Sequence, residues 1–261
     1  MSHPAINLCL DPGQPIGHSV VELQSVDSTN NYAMAQVHAG LASHGMVYMA
    51  QQQLAGRGQR GKKWETAPGQ NLTLSIALTP GLLKLKEHFM LNAAVALGCR
   101  DFLCSLVPDP EEIKIKWPND LYWRDRKAGG ILMESVSKGH DWLFAIAGIG
   151  INVNQVSFPE YLPNPVSIKK ITGREYWVPN LAALLFGFME SRYRQLLGGE
   201  YALLLADYNQ VLYKRGESVH LRKENMVFDT IISHVQQGGQ LITHDSIERS
   251  FEFGEVLWTI F

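Results

Sequence analysis

The rhythm of this chain changes once, near Lys214, and that change limits the folds open to it. Before it, short β-like runs alternate with longer segments whose apolar residues recur at helical spacing. After it, only short alternating segments remain, separated by turn residues such as Gly238 and Gly239. Tyr32, Ala35, Val37 and Leu41 predict a helix over 30–40. Strands are expected at 45–50 and 71–78, and a long helix packed on the sheet over 87–106. Short strands at 113–117 and 121–123 are broken by Pro118, and 130–136 and 142–149 read as a strand pair. Pro179 and Asn180 suggest the cap of a helix over 180–197 that stops at Gly198–Gly199, and a further helix follows over 200–213. The expectation is an α/β (α+β) chain: residues 1–213 as a mixed sheet flanked by helices, and 214–261 as a small all-β barrel.

A length of 261 residues suits one main domain with a small appendage. With 46% hydrophobic and 18% charged residues the chain can bury a substantial core. A formal net charge of −2 argues against a surface devoted to nucleic acid or anionic lipid, so any anion site must be local. No run of about 18 apolar residues predicts a membrane span. Residues 1–11 lack the basic and apolar regions of a signal peptide. Cys9, Cys99 and Cys104 lack metal-ligand spacing and read as reduced thiols of a cytoplasmic protein, and the nine histidines are scattered singly.

Three segments can carry chemistry. Residues 53–64 read QLAGRGQRGKKW: Gly56, Gly58 and Gly61 interleave with Arg57, Arg60, Lys62 and Lys63, with no acid among them. Glycines let a backbone bend its N–H groups around an anion, and arginines add bidentate contacts to phosphate or carboxylate. A flexible surface loop, or an arginine–glycine patch on nucleic acid, would read the same way. Residues 114–132 read KIKWPNDLYWRDRKAGGIL. Lys114 and Lys116 share a strand face, and Asn119 and Asp120 follow the break at Pro118, where they could bond a ligand, hold Mg²⁺ or simply cap a turn. Lys127 precedes Ala128, Gly129 and Gly130, small enough for a substrate to approach the backbone. Residues 148–154, GIGINVN, are compatible with a strand carrying a glycine bulge.

Together with DSTN at 27–30, these segments resemble the bacterial biotin–protein ligases, in the same order and at the same intervals over roughly Val21 to Asn154. The resemblance implies a synthetase-like catalytic domain of class II type, and a C-terminal β-module that helps close the site. It implies that Ser28, Thr29 and Asn30 bond biotin's ureido ring and its surroundings, and that Gln53, Gly129 and Gly130 also lie on biotin. The loop carrying Gly56, Arg57, Gly58, Gln59, Arg60 and Lys62 would order over biotin and the adenylate, with Arg57 on phosphate and carboxylate. Lys116 would sit near the α-phosphate, Asn119 and Asp120 near nucleotide and Mg²⁺, Lys127 at biotin's carboxyl end, and Trp64 and Asn152 near the adenine. Gln59 departs from the family, many of whose members carry arginine there, so its hold on the intermediate is weaker unless Arg60 and Lys62 compensate. About 25 residues precede DSTN, too few for a helix-turn-helix domain, so the expectation is a ligase that does not bind DNA.

The implied chemistry joins biotin and ATP into biotinyl-5′-AMP and passes biotin to a lysine of a biotin carboxyl carrier domain. Two anions must meet in the first step, and Arg57, Lys116, Lys127 and Mg²⁺ are the candidates for neutralising them; Asp120 is a candidate base towards the acceptor lysine. No Ser/His/Asp or Cys/His signature is present, in keeping with a reaction that needs no enzyme nucleophile. Pairing through a sheet edge would allow a homodimer. The rival readings are a lipoate or octanoate ligase of the sister family, a nucleic-acid-binding regulator using the Arg/Gly loop, and a binder without catalysis.

Overall fold

A computed structural model describes residues 13–139 and 141–258. Cys9 and the segment 1–11 lie outside the described residues. The chain opens with β1 (Val20–Val26), α1 (Thr29–His38), β2 (Val47–Gln53), β3 (Leu72–Leu78) and α2 (His88–Cys104). There follow β4 (Ile113–Lys116), β5 (Asp120–Trp123), β6 (Arg126–Lys138) and β7 (Asp141–Ile151). A short α3 (Ile168–Thr172) leads to α4 (Val178–Leu197) and α5 (Tyr201–Gln210). The closing strands are β8 (Ser218–Lys223), β9 (Met226–Val235), β10 (Leu241–His244), β11 (Glu248–Phe251) and β12 (Leu257–Trp258).

The first seven strands form one mixed sheet in the order β1-β2-β3-β7-β6-β5-β4. Only β1 and β2, joined across α1, run parallel; the other neighbours are antiparallel. This is the mixed α/β architecture expected. Two elements carried no clear sequence signal. The residues of β1 are at most half-buried, as suits an edge strand with Glu22, Gln24 and Ser25 in it, and α3 is a single short turn of helix. Asn180 does not cap α4: the cap is Trp177, and Pro179 and Asn180 already lie in the first turn, where proline's missing N–H costs nothing.

The two faces of the sheet meet different partners. Leu72, Leu74, Ile76 and Leu78 of β3, with Ala145, Ala147 and Ile149 of β7, join α2 and α4 in the main apolar core. On the opposite face Ala77, Phe144, Ile146 and Val136 pack with Ala33 and Val37 of the short helix α1. Because side chains alternate along a strand, that second face continues as Ser75 and Thr73 on β3, Gly148 and Gly150 on β7, and Glu134, Leu132 and Gly130 on β6. The packing against α1 stops there. Beyond that point the face is polar or bare apart from Leu132, and it is the floor of a cavity.

The last five strands form an antiparallel sheet in the order β11-β10-β9-β8-β12, with β11 and β12 at its margins among the described residues. The all-β expectation thus takes the form of an open sheet over those residues. Its inward side chains Val219, Leu221, Ile232, Val235, Leu241 and Phe251 belong to the same continuous apolar cluster as the main sheet. Cys99 is buried on α2 and Cys104 half-buried at its end. Burial raises both thiols, Cys104 to about 11, which disfavours the thiolate form. Among the described residues no helix is long and apolar enough to cross a membrane.

Candidate active site

The bare face of the sheet floors a cavity of about 440 Å³. Loop 56–64 walls one side, and Phe253, Gly254, Val256, Leu257 and Trp258 of the C-terminal sheet wall another. Phe158, Leu162 and Pro165 of the segment after β7 complete the rim.

One end of the cavity is lined by uncharged hydrogen-bonding groups. Ser28, Thr29 and Asn30, where β1 gives way to α1, are all buried. Gln53 Oε1 accepts from the Thr29 backbone N–H at 2.7 Å and lies 3.1 Å from its hydroxyl. The Ser75 hydroxyl lies 2.8 Å from Thr29 Oγ1 and 2.6 Å from Asn30 Oδ1. Asn30 Nδ2 donates to the Leu132 carbonyl at 3.2 Å and to Glu134 Oε2 at 2.9 Å. A buried polar cluster satisfied in this way is held in one arrangement before any ligand arrives. The glycines of β7 make room for it. A Cβ on Gly148 would fall 2.1 Å from Asn30 Oδ1, and one on Gly150 would fall 2.3 Å from the Trp64 ring. The strand is regular against both neighbours at these positions, so these glycines mark close approach and not a bulge.

The other end is cationic. Lys116, at the end of β4, is buried and makes no ion pair among the described residues. Its ammonium lies 5.0 Å from the Tyr122 ring centre, 5.1 Å from that of Trp258 and 6.0 Å from that of Tyr213, and 3.4 Å from the Tyr122 hydroxyl. Aromatic faces attract a cation, by about 2 kcal/mol where water is excluded, but they do not neutralise it. Burial lowers the Lys116 pKa to about 8; Asp120 opposes the shift, and Lys127 and Lys62 add to it. Lys127 Nζ pairs with Asp120 Oδ1 at 2.7 Å and lies 5.7 Å from the Trp64 ring. The turn between β4 and β5 is pinned by its backbone: the Pro118 carbonyl accepts from Asn92 Nδ2 at 3.0 Å and the Tyr208 hydroxyl at 2.8 Å. The Asn119 side chain donates to the Ile131 carbonyl, which ties the turn to β6.

Loop 56–64 is closed on itself. Trp64 N–H donates to the Gly56 carbonyl at 2.9 Å and Gly58 N–H to the Lys62 carbonyl at 2.7 Å, with Arg60 left-handed at the tip (φ 55°). The Arg60 guanidinium lies 3.6 Å from where a Cβ on Gly254 would be, so the loop reaches the C-terminal sheet across the cavity. The indole N–H groups of Trp64 and Trp258 are buried at the cavity without a partner among the described residues, and they are free to bond a bound molecule.

The structure brings most of the expected residues to this one cavity: Ser28, Thr29, Asn30, Gln53, Arg57, Gly58, Gln59, Arg60, Lys62, Trp64, Lys116, Asn119, Asp120, Lys127, Gly130 and Asn152 all line it. Gly56 and Gly129 stand behind the wall. A Cβ on the first would meet the Trp64 carbonyl at 2.2 Å, and one on the second the Gly150 carbonyl at 2.9 Å. Arg57 turns to Glu134 and Asn31, not towards Lys116. Asn152 spends its amide on the Val166 carbonyl at 3.1 Å. Sequence reasoning missed Ser75, Glu134, Tyr122, Tyr213, Phe253 and Trp258. Ser75 and Glu134 could have been found from strand parity, since each lies two residues from a position facing the same side; the C-terminal aromatics carried no such signal. Asp120 is the carboxylate at the cationic end, and no cluster of three metal-ligating side chains exists among the described residues. One carboxylate suits a Mg²⁺ that arrives with nucleotide phosphates and keeps most of its shell from them and water.

Comparison with known proteins agrees with this geometry. Residues 22–152, which hold the first three motifs and most of the fourth, match the model of the biotin/lipoate A/B protein ligase family. The chain belongs to that family. It is 38% identical over 145 residues to the bifunctional ligase/repressor BirA of Escherichia coli, covering 54% of this chain and 42% of that protein. It is 32% identical over 129 residues to the biotin–[acetyl-CoA-carboxylase] ligase of Mycobacterium tuberculosis, covering 49% and 47%. The matches thus span less than half of these relatives. A biotin protein ligase of Aquifex aeolicus solved with biotin and ATP shares the fold over 93% of this chain and 99% of that one, with a TM-score of 0.78 at 24% identity.

Proposed function

We propose that this chain is an ATP-dependent biotin–protein ligase, which forms biotinyl-5′-AMP and transfers biotin to a lysine of a biotin carboxyl carrier domain. One observation carries the reading: a single cavity joins an uncharged, pre-bonded end to a cationic end. A cyclic urea with an apolar tail and a carboxylate fits the first end, and a triphosphate the second. The relatives named as biotin ligases support the choice of acid.

In this reading Ser28, Thr29 and Gln53 face the ureido ring, while Asn30 holds Ser75 and Thr29 in place from behind. Gly130 lets the acid lie against β6, and Lys127 meets its carboxylate, leaving Asp120 to turn towards Mg²⁺ or the incoming amine. Lys116, with Lys62 and Arg60, faces the phosphates, where a fixed cation lowers the repulsion between the attacking carboxylate and the α-phosphorus. Trp64 and Asn152 border the adenine side. Mg²⁺ held by Asp120 and the phosphates would offset further negative charge. Pyrophosphate leaves; the acceptor amine then attacks the acyl carbon and AMP departs. Loop 56–64, with Gly58 and Gln59, and the wall from 253 to 258 exclude water that would hydrolyse the anhydride. We place the activity in the cytoplasm, where Cys99 and Cys104 stay reduced, and assign 1–213 to catalysis and 214–261 to closure.

The test is biotin-dependent ATP–pyrophosphate exchange by the purified chain, with lipoate and octanoate in parallel. Exchange with biotin alone is expected. Exchange with lipoate alone would move the chain to the other branch of its family, and exchange with no acid would leave a binder without catalysis.

A further inference from the structure

Glu134 sits in the middle of β6 with its side chain 22% exposed, in a segment that no chemical motif marks. Its Oε2 accepts from Asn30 Nδ2 at 2.9 Å and from an Arg57 guanidinium N–H at 3.2 Å, while Oε1 takes a second Arg57 N–H at 2.9 Å. Arg57 also donates to Asn31 Oδ1 at 2.7 Å, and Asn31 Nδ2 to Asp27 at 2.5 Å. That last bond holds the Asp27 carboxyl below its usual range. An exposed ion pair contributes little. This one differs in two ways. It is bidentate, which fixes the angle at which the loop leaves β2. The same carboxylate also takes one of Asn30's two N–H groups, the other going to Leu132, so the amide oxygen of Asn30 can only face Ser75.

We infer that Glu134 is a positioning residue with two duties: through Arg57 it clasps the base of loop 56–64 to the cavity floor, and through Asn30 it sets the hydrogen-bond order of the ring-binding end. Arg57 then acts chiefly as the loop's anchor. Its charge is already met before a ligand enters, and Lys116, Lys62 and Arg60 remain to meet the phosphates. The catalytic consequence rests on the ligase reading; the clasp does not.

The experiment is limited trypsin digestion of the full chain without ligands, with cuts mapped by mass spectrometry. The loop offers cleavable bonds after Arg60, Lys62 and Lys63. Glu134→Gln keeps an acceptor for Asn30 and removes the charge. It should speed cleavage at those bonds roughly fivefold while leaving cleavage elsewhere unchanged. Arg57→Gln should do the same, and the double variant should be no faster than either. Unchanged cleavage in Glu134→Gln, or effects that multiply in the double variant, would overturn the clasp. Should Glu134→Gln lose its cooperative melt, Arg57→Gln alone decides, since the clasp requires it to open the loop. In pyrophosphate exchange Glu134→Gln should raise the biotin KM severalfold with kcat within about twofold, and Glu134→Asp should recover part of the loss. A fall in kcat at unchanged KM would contradict the positioning role. A wild-type chain without exchange would sink the ligase reading and leave the digestion to judge the clasp.

Discussion

At one end of the cavity Ser75, Thr29, Asn30 and Gln53 are bonded to one another, and at the other Lys116 is buried against three rings with no ion-pair partner of its own among the described residues, the nearby Asp120 being paired with Lys127. Both ends stand on the same face of the same sheet. The first spends no free energy on an unmet group, so it selects a ligand by shape and hydrogen-bond order. The second holds an uncompensated charge, which an anionic ligand relieves. Stability is thus set at the neutral end, and affinity for phosphate at the cationic one.

Lys116→Met tests that contrast most severely. Exchange should fall by about a hundredfold or more, while thermal stability should rise by about 1 kcal/mol because an unpaired buried charge gives way to an apolar chain. Lost exchange with lowered stability would show that Lys116 is structural. Gly148→Ala addresses the neutral end. Its Cβ would fall 2.1 Å from Asn30 Oδ1, so the amide must move, at a cost of about 1–3 kcal/mol. Biotin KM should rise roughly tenfold with ATP KM unchanged. A variant with wild-type kinetics would mean that Asn30 does not order this end.

The pH dependence separates the ends without mutation. The Lys116 pKa is lowered to about 8, so exchange that needs its cation should decline as pH rises through about 8. Stability should move the other way. Between about 8 and the ordinary lysine value the unfolded chain binds more protons than the folded one, so this group's burial penalty is relieved as pH rises and is full below about 8. Lys116→Met should flatten that part of the stability curve. The smallest effect is expected for Trp258→Leu, which removes one ring of three: ATP KM should rise a few-fold, in line with about 1 kcal/mol, with biotin KM unchanged.

The loop, and the neutral end apart from Ser75 and Glu134, were legible in the sequence because their residues fall in short segments that carry the family's motifs. DSTN, QLAGRGQRGKKW and GIGINVN each map onto one edge of the cavity. The cationic end was legible only in part. Lys116, Lys127 and Tyr122 lie in a motif, but two of the three rings that enclose Lys116 come from Tyr213 and Trp258, nearly 100 and over 140 positions away. Nothing local distinguishes them from core aromatics. The glycines of β7 were visible as glycines, but not the reason for them, which is the approach of Asn30 and Trp64 from other elements. Strand β1 was lost to its polar, edge-like composition, and the helix start at Trp177 to a proline that the first turn tolerates.

The most direct test of the division between the two ends is calorimetric binding of biotin, without nucleotide, to the wild type, Thr29→Val and Lys116→Met. Thr29→Val removes the hydroxyl's bonds to Gln53 and Ser75, keeping the backbone bond to Gln53, and should weaken biotin binding roughly tenfold, while Lys116→Met should bind biotin as the wild type does. Equal weakening in both variants, or none in Thr29→Val, would contradict the account.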